Sequence, residues 1–179
     1  MKFELRIIDL HWINGMHDAP DDFCLHGNVC VKIGDKTIGY SGNENEEWTV
    51  STGAYRMLES LYSDHLAGRE EHLLPCCGHF MVIDEQSNKL LIIGCHNGLD
   101  WSVIHEGDNV RLKTDLEIEV VIPFDDYQEI VFSFADAIKA YYNKSSPKTP
   151  PLEQFEKDAY QRFWSDWDQW RGGNNPLKY

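Results

Sequence analysis

The chain opens on alternating charged and apolar side chains, Phe3-Glu4-Leu5-Arg6-Ile7, and continues through Ile8-Asp9-Leu10-His11-Trp12-Ile13. A period of two predicts a strand with Phe3, Leu5 and Ile7 on one face and the other face half exposed. Asn14-Gly15 and the acidic run Asp18 to Asp22 read as a loop. Phe23 to Tyr40 predicts two strands joined by a tight turn at Gly34-Asp35. Ser41 to Glu47 is polar and acidic, a solvated loop. The period then changes. From Ser51, a good N-cap, the residues Tyr55, Leu58, Leu61, Tyr62 and His65 recur every three or four positions, which predicts a helix to about Leu66, ended by Gly68.

The most apolar part of the chain lies in the middle. The runs ending at Ile83 and starting at Leu90 flank a polar break from Asp84 to Lys89, the pattern of a β-hairpin with strands buried on both faces. A second hairpin turns at Glu106-Gly107-Asp108, with Val110 and Leu112 inward. A further strand spans Glu117 to Ile122, stopped by Pro123. Asp125 or Asp126 then caps a long helix with Tyr127, Ile130, Val131, Phe134, Ala135, Ile138 and Tyr141 on one face. Ser145 to Pro151 is a stiff, Pro-rich linker. A third helix runs from about Leu152 with Phe155, Ala159, Tyr160, Phe163, Trp167 and Trp170 aligned. These elements predict an α+β fold, an antiparallel sheet of roughly six to eight strands with two to three helices packed on it. The expected layout is one domain over 1–144, the linker 145–151, a C-terminal helix 152–171 docked on the same domain, and a tail 172–179.

Composition changes this picture in two places. The formal net charge is −14, from 30 acidic and 16 basic residues. A field of that sign repels phosphate backbones and anionic lipid, so nucleic acid and membrane surfaces are disfavoured and a basic protein or a cation is favoured. No apolar run approaches the roughly 20 residues of a membrane span, and the N-terminus lacks the apolar stretch of a signal peptide. Five cysteines, two of them adjacent, suit a reduced, cytoplasmic protein better than a disulfide framework.

Candidate chemistry gathers at the open end of the middle hairpin, where Cys76, Cys77, His79, Cys95 and His96 fall together. They have the donor atoms for zinc. If Asp84 pairs with Lys89, however, Cys77, His79 and His96 share one side while Cys76 and Cys95 take the other. Three ligands do not close a tetrahedral site, so a fourth is needed from elsewhere, such as His26 or Cys30. A thiol nucleophile is the other option, Cys77 with His79 or His96 and Asp100 near. Reactive thiols sit exposed beside cationic groups, whereas these lie among apolar residues. Core packing is therefore the expected role, with no resident cofactor. A zinc- or thiol-dependent enzyme on Cys77, His79 and His96 stands as the alternative. No Gly-rich phosphate loop joins a strand to a helix.

The remaining candidates are surfaces. Glu44, Glu46 and Glu47 form one acidic run and Asp125, Asp126 and Glu129 another. Both read as solvated, weak as catalysts and suited to a cationic partner. In the terminal helix Trp164 is interleaved with Asp166 and Asp168, which suits a protein interface better than base stacking. Finally, the segments Trp48-Thr-Val-Ser-Thr-Gly-Ala, Cys76-Cys-Gly-His, Gly98-Leu-Asp-Trp, Phe134-Ala-Asp and Phe163-Trp-Ser-Asp-Trp resemble small bacterial proteins that include immunity proteins of polymorphic and contact-dependent toxin systems. That resemblance implies an acidic, cytosolic, non-enzymatic protein that neutralises a toxin domain, often a basic nuclease, by tight binding. It transfers no functional residue.

Overall fold

The computed structural model describes residues 2–13, 17–39, 47–68, 71–78, 80–94 and 96–172. Strand β1 (Phe3–Trp12) pairs antiparallel with β2 (Leu25–Ile33), and the register slips between Ile7 and Asp9. The slip has a purpose legible in the spacing. Phe3 and Trp12 stand an odd number of residues apart and would face opposite sides of a regular strand; one bulge brings both into the core. After the turn at Gly34, whose φ of +61° favours glycine, β3 (Lys36–Thr37) returns along β2. The short β4 (Trp48–Thr49) pairs with β2 at Gly27 and His26.

Helix α1 (Val50–Glu59) follows directly, and every residue from Val50 to Leu58 is buried. It is shorter than its periodicity predicts, and it is capped by Thr49 rather than Ser51. The helix stops because a tertiary pairing takes its expected last turn: His65 exchanges both backbone hydrogen bonds with Val103, at 2.9 and 2.8 Å. Gly53 lets α1 approach the next strand, since a Cβ there would strike the Leu74 side chain.

The middle hairpin forms with the register expected from Asp84 and Lys89, whose N–H···O contact is 2.8 Å. It is split into two pieces, β5 (Leu74–Pro75) with β8 (Gly98–Leu99), and β6 (Phe80–Ile83) with β7 (Leu90–Ile93). Cys76 N–H donates to Asn97 O at 2.9 Å and carries the same register across the break. Backbone crowding marks that break: a Cβ at Gly94 would collide with the Cys77 carbonyl. The expectation of strands buried on both faces is corrected here. Met81, Leu90 and Ile92 are buried, but Phe80, Leu91 and Ile93 on the other face are exposed.

The third sheet runs β9 (Ser102–Glu106), β10 (Asn109–Lys113), β11 (Glu119–Pro123), with Val103, Val110, Leu112 and Ile122 inward. Helix α2 (Phe124–Lys144) starts without a break, and Asp125 and Asp126 lie in its first turn rather than at its cap, which is Pro123. Helix α3 (Gln154–Arg171) lies on α1, with the Tyr55 ring stacked on Phe163 at 4.9 Å and tilted against Trp170 at 4.8 Å. The class is α+β as expected, but the described residues hold eleven strands in four sheets rather than one sheet of six to eight. No helix among the described residues is long and apolar enough to cross a membrane.

A helix buried on all sides must satisfy its polar side chains internally. Thr52 Oγ1 donates to Gly78 O at 2.5 Å, and Tyr55 Oη to Asp166 Oδ2 at 2.9 Å. Arg56 donates to His72 O at 2.5 Å and Ile92 O at 3.2 Å, and Ser60 Oγ meets Tyr127 Oη at 2.8 Å. Each bond reaches a different neighbour. Burial pushes Arg56 below its ordinary pKa, while Glu71, Glu59 and Asp100 pull it back up. Replacing Arg56 by Met keeps the apolar stem but strands two carbonyls, so a destabilisation of about 3 kcal/mol is expected in denaturant unfolding. A loss below about 0.5 kcal/mol would show that the two bonds contribute nothing net.

Candidate functional site

The cysteine and histidine cluster is only partly assembled. Cys77 and His96 line one cleft of about 180 Å³ beside Arg56 and Glu71. His79 and Cys95 lie outside the described residues. Cys24, Cys30 and Cys77 carry thiols, whereas Cys76 stands in a disulfide, so the expectation of fully reduced cysteines fails at that position. Among the described residues no group of three or more His, Cys, Asp or Glu is placed to hold a metal. The suggested extra ligands are engaged elsewhere or apart: His26 Nε2 is 3.3 Å from Thr49 Oγ1 and its Nδ1 is 2.9 Å from Cys24 O. Burial pushes the neighbouring Cys24 thiol up to about 12, which leaves it protonated and unreactive.

Asp100 does not serve Cys77 either. Its carboxylate accepts from His65 Nε2 at 2.7 Å and from the N–H groups of Gly68 and Leu73 at 3.0 and 3.2 Å. Burial alone would raise its pKa; the His65 hydrogen bond and charge and the two backbone donors outweigh that and hold it below the ordinary value.

The acidic candidates divide. Glu44 and Glu46 lie outside the described residues. Glu47 is exposed and lines a cavity of about 580 Å³ with Asp9, His11, Trp12 and Asp18. His11 sits between two of these acids, Nδ1 3.2 Å from Asp9 Oδ2 and Nε2 3.5 Å from Glu47 Oε2. Asp125, Asp126 and Glu129 are all exposed on the first two turns of α2. They complement the helix dipole there.

The aromatic candidates are more enclosed than their sequence suggests. Trp164 packs edge-on against Tyr142 and Phe163 at 4.9 and 5.0 Å, with the Lys139 ammonium 3.7 Å over its ring. Asp166 is buried, accepting from Tyr55 and from Arg162 Nε at 2.6 Å, and so is removed from any partner surface. Its position gives the reason: 166 falls on the stripe of 159, 163, 167 and 170. Asp168 is exposed and pairs with Lys139 at 3.4 Å.

One arrangement escaped sequence reasoning. The Pro-rich linker is strapped to the acidic loop before β2, with Thr149 N–H donating to Pro20 O at 2.8 Å and Ser146 N–H donating to Asp18 Oδ2. Lys148 lies 3.4 Å over the Trp12 ring, 2.7 Å from Asp18 Oδ1 and 3.0 Å from Ala19 O. The Lys148 hydrogen bond, followed by that from Ser146, holds Asp18 below the ordinary carboxylate pKa. A lysine between prolines facing an acidic loop was the available signal.

Comparison with protein-family models, with curated proteins and with solved structures finds no match.

Asp100→Asn is expected to destabilise the fold by about 2 kcal/mol at neutral pH. Because the native carboxyl titrates below its unfolded value, its contribution is present above about pH 4 and is lost as pH falls through the native pKa. The gap between wild type and variant in thermal unfolding should therefore close in acid. A gap unchanged down to about pH 2 would contradict the assignment.

Proposed function

We propose that the protein is a non-catalytic binding protein of the immunity type, which occludes a basic toxin domain through its acidic surface. The observation that carries this reading is the charge: 30 acidic against 16 basic residues. The internal pairings strengthen it. Arg56 is buried against carbonyls and Lys148 is enclosed by Trp12 and Asp18, while Glu47, Asp125, Asp126 and Glu129 stay exposed. These exposed acids add to a field that steers a basic partner and raises its on-rate. A cytoplasmic location is part of the proposal; the disulfide at Cys76 is the feature that pulls against it.

A second reading has one observation in its favour, the shared cleft of Cys77 and His96 beside the Arg56 guanidinium. It is a thiol- or zinc-dependent enzyme, and metal analysis of freshly purified protein separates the two.

Affinity capture from the native host at low salt should recover a basic protein that dissociates at about 0.5 M salt, where the Debye length falls to a few ångströms. The triple variant Asp125→Lys, Asp126→Lys, Glu129→Lys should slow association with that protein about tenfold or more, while the reversed charge at the α2 N-terminus costs about 1–2 kcal/mol of stability and leaves the protein folded. Recovery of no basic protein, or an association rate indifferent to charge reversal at every exposed acidic run, would overturn the reading.

A further inference from the structure

The terminal helix begins with its apolar side chains outside the core. Phe155, expected on the buried stripe, is 52% exposed, and Leu152 just before the helix is 97% exposed. Phe80 on the outer face of the β6–β7 hairpin is 42% exposed and meets Phe155 edge-on at 6.3 Å. Beside them opens a cavity of about 510 Å³, walled by Phe23, Phe80, Met81, Pro150, Pro151 and Tyr160. Large apolar side chains grouped around a concavity of this size are the usual form of a binding pocket.

The walls are held in place. Phe23 and Tyr160 pack ring to ring at 4.8 Å, and Tyr142 Oη donates to the Phe23 carbonyl. The prolines are fixed by the strap, through the Lys148 contacts and the Thr149 bond to Pro20. A preformed pocket loses little entropy on being filled.

Charge then selects the occupant. The lining carries two carboxylates, Asp21 and Glu156, and no Lys, Arg or His. Glu153 lies one residue before α3. A second copy of a chain with net charge −14 would bring like charge to this rim. A free apolar molecule would leave the two carboxylates without a role. We propose that this cavity is an anchor pocket for a bulky apolar side chain flanked by Lys or Arg on a partner polypeptide, the apolar group seated on Phe23, Phe80 and Tyr160 and its cationic neighbours on Asp21 and Glu156. The proposal rests on the reading of the protein as a binder of a basic partner and names the contact that would give that binding its specificity. Long-range charge brings the partner in; the buried anchor sets the off-rate.

The test is an NMR titration of isotopically labelled full-length protein at low salt with three capped pentapeptides. One is basic with a central Trp (Lys-Arg-Trp-Arg-Lys), one basic with a central Gly, and one acidic with a central Trp. The basic Trp peptide should shift the resonances of Phe23, Met81, Leu152 and Tyr160 and bind at least about fivefold more tightly than the Gly peptide. Glu156→Lys and Leu152→Asp, both at exposed or half-exposed helix-start positions, should each weaken it severalfold without altering the rest of the spectrum. Equal binding of both basic peptides, with shifts confined to Asp9, Glu47 or Asp125 to Glu129, would overturn the pocket and leave the acidic-surface reading standing. Binding of the acidic peptide at the same strength would overturn the charge assignment. Shifts at the pocket that grow with protein concentration alone would give it to a second copy. Binding of neither basic peptide would overturn the pocket, while the acidic-surface reading stands or falls by the capture and charge-reversal measurements.

Discussion

Complete burial of α1 is the constraint on which the rest depends. A helix wrapped on all sides by protein has no water to satisfy its polar groups, yet this one carries Thr52, Tyr55 and Arg56 within two turns. Each finds a partner on a different element: the backbone before β6, the terminal helix, the loop before β5 and strand β7. Removing any one partner leaves a buried donor or acceptor, so the penalty for separating these elements is set by desolvation as well as by lost apolar contact. The fold is held together from its middle outward.

That arrangement also decides what is left outside. Arg56 is drawn inward by carbonyls, Arg162 is held by the buried Asp166, and Lys148 is taken up by Trp12 and Asp18, so these three cations are already committed within the fold. The hairpin β6–β7 buries Met81, Leu90 and Ile92 on one face and leaves Phe80, Leu91 and Ile93 largely open on the other, where Phe80 meets the edge of Phe155 at the start of α3. The exposed apolar residues beside the α3 start and the acidic rim around them are therefore consequences of how the core closes, and they form the surface proposed above for a basic, partly apolar partner.

Much of this was legible in the residues and some was not. The hairpin register followed from the polar break at Asp84 to Lys89, and the long face of α2 followed from its spacing, because both are local patterns of side-chain period. The buried role of Asp166 was also available, since helical spacing alone sets it on the stripe of Phe163 and Trp170. What spacing could not reveal were the long-range decisions. His65, on the helical stripe by spacing, lies outside the helix because Val103 offers a ladder. Phe155, on the helical stripe, lies outside the core and meets Phe80 instead. The strap itself, read as a spacer, is a docked segment whose partners lie more than a hundred residues away in sequence. The Cys76 disulfide was missed for a different reason: adjacent cysteines of odd total count argue for thiols on composition, and only geometry pairs one.

If α1 ties the elements into one cooperative body, the surfaces they carry share its rigidity. Native-state hydrogen exchange measures this directly. Backbone amides in the middle of α1, in β7 and in α3 should exchange with one common free energy, that of global unfolding. Exchange of α3 at a free energy more than about 2 kcal/mol below that of α1 would show the terminal helix opening on its own, and would contradict a core that holds it in place through Tyr55 and Asp166.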